Sequence, residues 1–267
     1  MTSRIFRMIG ADQIKINFEQ FNGVLEANFE GERLEKLKTL TDCLKERMMF
    51  APASSKDWFN NAFPGGYLDH VLRVNKIANQ LHKLYEFHGA SESYTGGELN
   101  FVSLFCQLGK LGDWEHEYFT KNDSDWHVKN LGMVYKFNEH VPAMKIYDRT
   151  IYLLQDAGIK ISHNEYLAIR NQEGLFDESN KFYFYSGQKE TKFRNHLPLL
   201  IHQAIQTAQE IEYQMWSSGG KVIQKTDKPA NASKADKTIR KAKAINVENN
   251  PNFNEKTKSI IDSFFTD

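Results

Sequence analysis

Cysteine is scarce in this chain of 267 residues: only Cys43 and Cys106 occur, far apart and each in an apolar helical context. That scarcity argues against a disulfide scaffold and predicts two buried free thiols in a reducing compartment. Net charge is missing too. The 34 Lys and Arg are matched by 34 Asp and Glu, so no global field draws the chain to a polyanion and only local charge can matter. No apolar run approaches the ~20 residues of a membrane span, and no signal-peptide pattern opens the chain. A soluble cytoplasmic protein is the expectation. Strand-like alternation is equally rare. It is confined to the first twenty residues and to "KFYFYS" at 181–186, which is expected to form a small edge β-hairpin.

What is abundant is helical periodicity. Residues 31–49 place Leu34, Leu37, Leu40 and Leu44 at three- and four-residue spacings with charges between them. Residues 65–87 continue the pattern through Val71, Val74, Ala78, Leu81 and Tyr85. Further helices are expected at about 97–111, 142–157, 163–171 and 196–216. The predicted class is mainly α. The length suits one sizeable domain with an appendage.

The composition breaks at Ser217-Ser218-Gly219-Gly220. The stretch that follows, to Asn252, holds no aromatic residue and many Lys, Asn, Ala and Asp. Such a segment cannot bury enough apolar surface to offset the entropy of ordering it, so 218–253 is read as a flexible, locally basic linker. Aromatic residues return only in "FNEKTKSIIDSFFTD". The expected organisation is an N-terminal segment and helix over 1–50, a helical domain over 51–217, the linker, and a terminal peptide over 254–267.

The stretch "FPGGYLDHVLRV" puts His70 on the first turns of a helix that two glycines open. A single histidine there is ordinarily a core residue with a satisfied ring. Its company is informative. An apolar helix ending in "LGKLGD" follows some thirty-five residues later, and then "DWHVKNLGMVY", "DRTIYLLQDAGIKISHNEYLAI", "EGLFDESNKFY" and "LPLLIHQAIQTAQEIE". In this order the segments resemble the HD superfamily of metal-dependent phosphohydrolases, and within it a subgroup found in tailed bacteriophages. The resemblance covers roughly residues 50–216 and implies an HD-domain-like helical bundle.

In that family a His from one helix, an adjacent His-Asp pair from a second and an Asp from a late helix hold a divalent cation that activates water and offsets phosphoryl charge. His70 matches the first ligand. Cys106 and Gln107 stand where the His-Asp pair would be, and Ile205 stands at the late Asp. Gln172 and Glu173 replace a further His-Asp pair of the phage subgroup. An uncharged amide, an alkyl side chain and one thiol do not make such a site, and hard cations want carboxylate oxygens. The resemblance therefore implies a catalytically silent site with no metal and no cofactor. Asp113 and His116, three apart in "GDWEHEYF", have a spacing that can share a helix face. His127 is a pocket candidate through the resemblance, and Lys110 and Arg149 are the basic residues expected nearest an anion, if they are not held in structural salt bridges.

The terminal "KSIIDSFFTD" is the second informative stretch. In a single helical turn Ile261, Phe264 and Phe265 share one face. The pattern resembles sliding-clamp-binding peptides at the ends of polymerases and repair enzymes, with Lys258 where those peptides favour Gln. It implies a DNA sliding clamp as partner, whereas self-docking of the tail is the bland alternative. Lys234, Lys237, Arg240, Lys241 and Lys243 offer weak, non-specific contact with DNA phosphates. The leading expectation is an inactive HD-fold phage accessory protein, acting in the cytoplasm of an infected bacterium in DNA replication or clamp-dependent transcription beside a further protein of either process. The rivals are a divergent metal-dependent nucleotide or oligonucleotide phosphohydrolase built around His70, Cys106 and Glu173, and an inhibitor of a host protein.

Overall fold

The computed structural model describes residues 9–59, 61–90, 93–185, 189–190 and 192–219. The chain divides into two units, Met1–Val222 and Ile223–Asp267. The second lies outside the described residues, as do Lys258, Ile261, Phe264 and Phe265 and the lysines assigned to the linker.

The described part is mainly helical. α1 (Ala11–Asn28) buries Ile14, Phe18, Phe21 and Leu25 at helical spacing, so 11–20, expected to show strand-like alternation, are helical. α2 (Gly31–Cys43) and α3 (Lys45–Phe50) divide the leucine-rich stretch at Leu44. The break exposes Cys43, against the expectation of a buried thiol. Leu37, Leu40 and Leu44 keep the inward face, and Cys43, one residue off it, faces solvent.

Next comes α4 (Gly66–Phe87). Gly65 takes φ 83°, the left-handed region, where a glycine carries no steric cost. A Cβ on Gly66 would run into the Asn61 carbonyl, so this pair of glycines seats the start of α4 directly on the preceding loop. α5 (Gly96–Phe105) is apolar on nearly every side, with Leu99, Phe101, Val102, Leu104 and Phe105 all buried, as a central helix should be. A capping box starts it: the Glu98 N–H donates to Thr95 Oγ1 at 3.1 Å, and the Thr95 N–H to Glu98 Oε2 at 2.8 Å.

The helix expected to run on to 111 stops at Phe105. The Cys106 carbonyl accepts instead from Thr150 Oγ1 at 3.1 Å and Gln172 Nε2 at 2.7 Å. A 3₁₀ turn, Leu108–Leu111, follows. Gly109 is pressed against the Ile146 carbonyl and the Arg149 Cβ, so only a residue without a side chain allows this approach.

An excursion from the bundle carries β1 (Phe119–Lys121), α6 (Asp125–Leu131) and β2 (Tyr135–Phe137). The strands pair antiparallel, with Phe119 opposite Phe137. The hairpin therefore lies here and not at 181–186. α7 (Ile146–Asp156) and α8 (His163–Arg170) come next. The residues read as a strand instead contain α9 (Lys181–Phe184), a single helical turn. α10 (Leu197–Ser217) closes the bundle.

The core gathers Phe21, Tyr67, Phe101, Phe105, Ile201 and their neighbours from α1, α4, α5 and α10. Each such large apolar side chain is worth roughly 1.5–3 kcal/mol relative to exposure. No helix among the described residues is long and apolar enough to cross a membrane.

Candidate functional site

His70 lies fully buried near the start of α4. Its Nδ1 is 2.9 Å from both carboxylate oxygens of Glu212 on α10. A carboxylate only accepts, so Nδ1 donates in this contact. Nε2 has no hydrogen-bond partner among the described residues. The same Glu212 accepts from Arg73 Nε at 3.1 Å, Arg73 Nη2 donates to Asp69 Oδ2 at 2.9 Å, and Asn61 Nδ2 donates to that oxygen at 2.7 Å. A polar strap thus joins the Gly-Gly loop to α10. Burial alone would lower the Arg73 pKa, but Asp69 and Glu212 outweigh it and raise it.

The other positions singled out in the sequence lie at the end of α5, after α8 and on α10. Cys106 is buried where α5 ends, and burial pushes its thiol up to about 12, against the pull of Lys110. It therefore remains a neutral thiol, a poor metal ligand and a poor nucleophile. Gln107 is 5 % exposed and its Oε1 has no hydrogen-bond partner among the described residues. Gln172 spends its amide N–H on the Cys106 carbonyl. Ile205 packs into the core from α10. Glu173 alone faces outward, in the wall of a surface cavity of about 490 Å³ shared with Tyr118, Tyr147, Phe176 and Asp177.

Lys110 is half-buried. Burial lowers its amine pKa, while Glu173, Glu212 and Cys106 pull it back up. Tyr67, one helical turn before His70, is fully buried. Burial, then the neighbouring Cys106, pushes its phenol far above its ordinary value.

Around His70 the carboxylates Glu212 and Asp69 are already engaged by His70, Arg73 and Asn61. Among the described residues no three His, Cys, Asp or Glu side chains gather as metal ligands. The carboxylate nearest His70 gives both oxygens to His70, and one of them also to Arg73, so the residues present do not fit a hard divalent cation.

Other sequence candidates do different work. Arg149 is buried, with Nη2 donating to the Pro142 carbonyl at 2.6 Å, Nη1 to Gly109 at 3.2 Å, and the guanidinium over the Tyr118 ring at 4.6 Å. Its guanidinium holds backbone carbonyls. Asp113 and His116 share a turn and no helix: Asp113 Oδ1 accepts the N–H groups of Glu115 and His116 at 2.9 and 2.6 Å. Burial would raise the Asp113 carboxyl, and these N–H groups more than reverse it. His127 sits on α6, which buries none of its residues, and its Nδ1 meets Ser124 Oγ at 2.6 Å.

Sequence reasoning missed Glu212, Arg73 and Tyr67. Tyr67 and Arg73 flank His70 by three residues on either side. Glu212 had a signal of its own, because it extends the buried stripe of Ile201, Ile205 and Ala208 on α10. An acid on the inner stripe of a helix demands a buried partner.

No family model matches the chain, and neither a curated protein nor a solved structure is significantly similar to it.

Proposed function

We propose that this chain is a catalytically silent, HD-like phage accessory protein. Its helical domain binds a protein partner, and residues 254–267 tether it to a DNA sliding clamp in the cytoplasm of the infected cell, during replication or clamp-dependent transcription. The observation that carries the silent half is the His70–Glu212 pair. The one histidine kept from the ligand set is tied to a carboxylate that Arg73 also holds. By sequence correspondence, a thiol, two amides and an alkyl side chain occupy the positions where the resemblance would place the family's other ligands.

One observation favours the rival, a divergent metal-dependent nucleotide or oligonucleotide phosphohydrolase. A histidine whose Nδ1 is oriented by a carboxylate presents Nε2 as metal-ligating histidines do, and here Nε2 has no partner among the described residues. Metal content decides between them. The protein is dialysed against manganese, magnesium, iron and zinc together and analysed by plasma mass spectrometry beside His70→Ala. The silent reading expects substoichiometric metal that is the same in both proteins. Near-stoichiometric metal that disappears in His70→Ala overturns it.

A further inference from the structure

The hairpin excursion and α3 enclose a groove of about 770 Å³, whose floor includes Phe50, Pro52, Phe119 and Tyr135. A volume of this size, within the ~300–1,000 Å³ of small-ligand sites, accommodates large side chains of a docking segment. Phe50 is 56 % exposed, an apolar cost that nothing inside the described chain offsets. Three carboxylates, Glu46, Glu115 and Glu117, stand on the rim.

None of these three forms an ion pair with a described residue. Acids on other surfaces do hold nearby lysines, as Glu32 holds Lys36, Asp125 holds Lys129, Asp123 holds Lys136 and Asp177 holds Lys145. Two cations line the groove, and only Lys121 is uncommitted. Arg47 contributes its charge, but its donors are spent on the carbonyls of Asp113, Trp114 and His116. The Tyr135 phenol reports the same surroundings, raised first by burial and then by the charge of Glu117. Three carboxylates against two cations, beside the exposed Phe50, suit a segment that brings one or two large apolar side chains between lysines or arginines.

We propose that this groove is the docking site for a basic, apolar-anchored peptide segment of a partner protein. The proposal deepens the partner-binding half of the reading above and rests on it, while standing apart from the metal question and from residues 254–267. Loss of clamp binding therefore leaves it untouched, and its own failure leaves the tether untouched.

The test is fluorescence anisotropy on the full chain with a fluorescein-labelled Lys-rich peptide that carries a central Trp-Leu pair. One control replaces each Lys by Glu, and a second replaces Trp-Leu by Ser-Gly. The expected result is a Kd on the order of 10–100 µM for the first peptide alone, weakening as salt rises. The double substitution Glu115→Lys, Glu117→Lys reverses two exposed charges and should weaken binding by about tenfold or more. Phe50→Ala should do so without altering the salt dependence, which separates the anchor from the field. Both variants alter exposed side chains, and circular dichroism verifies that they fold. Absence of binding, equal binding of the Glu peptide, or indifference to the charge reversal overturns the proposal.

Discussion

At the scale of single residues, the buried His70–Glu212–Arg73 contact is the most consequential. Its worth lies less in attraction than in what its loss would strand. Taking two charges out of water costs roughly what their mutual attraction returns, so a buried pair adds little net stability, yet removing one partner leaves the other uncompensated. Glu212→Ala would leave Arg73 beside Asp69 alone and the His70 Nδ1–H without an acceptor. We expect a loss of about 3–5 kcal/mol in urea unfolding, with Glu212→Gln intermediate because an amide oxygen still accepts from Nδ1. A loss below about 1 kcal/mol would mean that the strap does not hold α4 to α10. The contact gives His70 a structural role in joining α4 to α10 whether or not a metal binds.

At the scale of elements, the sequence was readable where one face of a long helix decided the matter. α4 and α10 lie close to their expected spans, because Val71, Val74 and Ala78, and Ile201, Ile205 and Ala208, give an unambiguous stripe. It failed where tertiary partners overrode local pattern. Helix α5 ends at Phe105 because Thr150 and Gln172, more than forty residues away, capture the Cys106 carbonyl. No local signal announces such a stop.

The aromatic run at 181–185 has strand composition, yet the preceding turn decides its shape. Asp177 accepts from Lys145 at 2.7 Å, from Tyr147 at 2.8 Å and from the Ser179 hydroxyl at 2.8 Å. Burial would raise its carboxyl, but these donors hold it well below the ordinary carboxylate range. A carboxyl depressed in the folded state contributes stability that is full above its unfolded value of about 3.9 and is lost as pH falls below it. Asp177→Asn should therefore unfold at lower urea than the wild type at about pH 6, and the gap should close progressively below about pH 4. A gap that persists unchanged to about pH 2.5 would assign the loss to shape and not to charge. The chain keeps some acid sensitivity in either case, because Asp113 and Asp123 are depressed as well.

At the scale of the whole molecule, the site and the terminal peptide pose separate questions that one variant keeps apart. All of the buried hydrophobic residues among those described lie between Ile14 and Ala208, and on the tethering reading residues 255–267 add nothing to that core. The unfolding midpoint should then be unchanged. On the proposed reading the same deletion abolishes binding to the sliding clamp. Short anchors of this kind bind on the order of micromolar, about −8 kcal/mol, and Phe264 and Phe265 carry most of the apolar area that such a peptide can bury. Phe264→Ala with Phe265→Ala should therefore match the deletion in surface plasmon resonance against immobilised clamp. Some thirty residues separate Gly220 from the peptide. As a random coil they would reach on the order of 30 Å, enough to let the helical domain engage a second protein while the peptide stays bound. If the deletion binds the clamp as well as the full chain, the tether is removed from the reading, and the acidic groove beside the hairpin becomes the place to look for partners first.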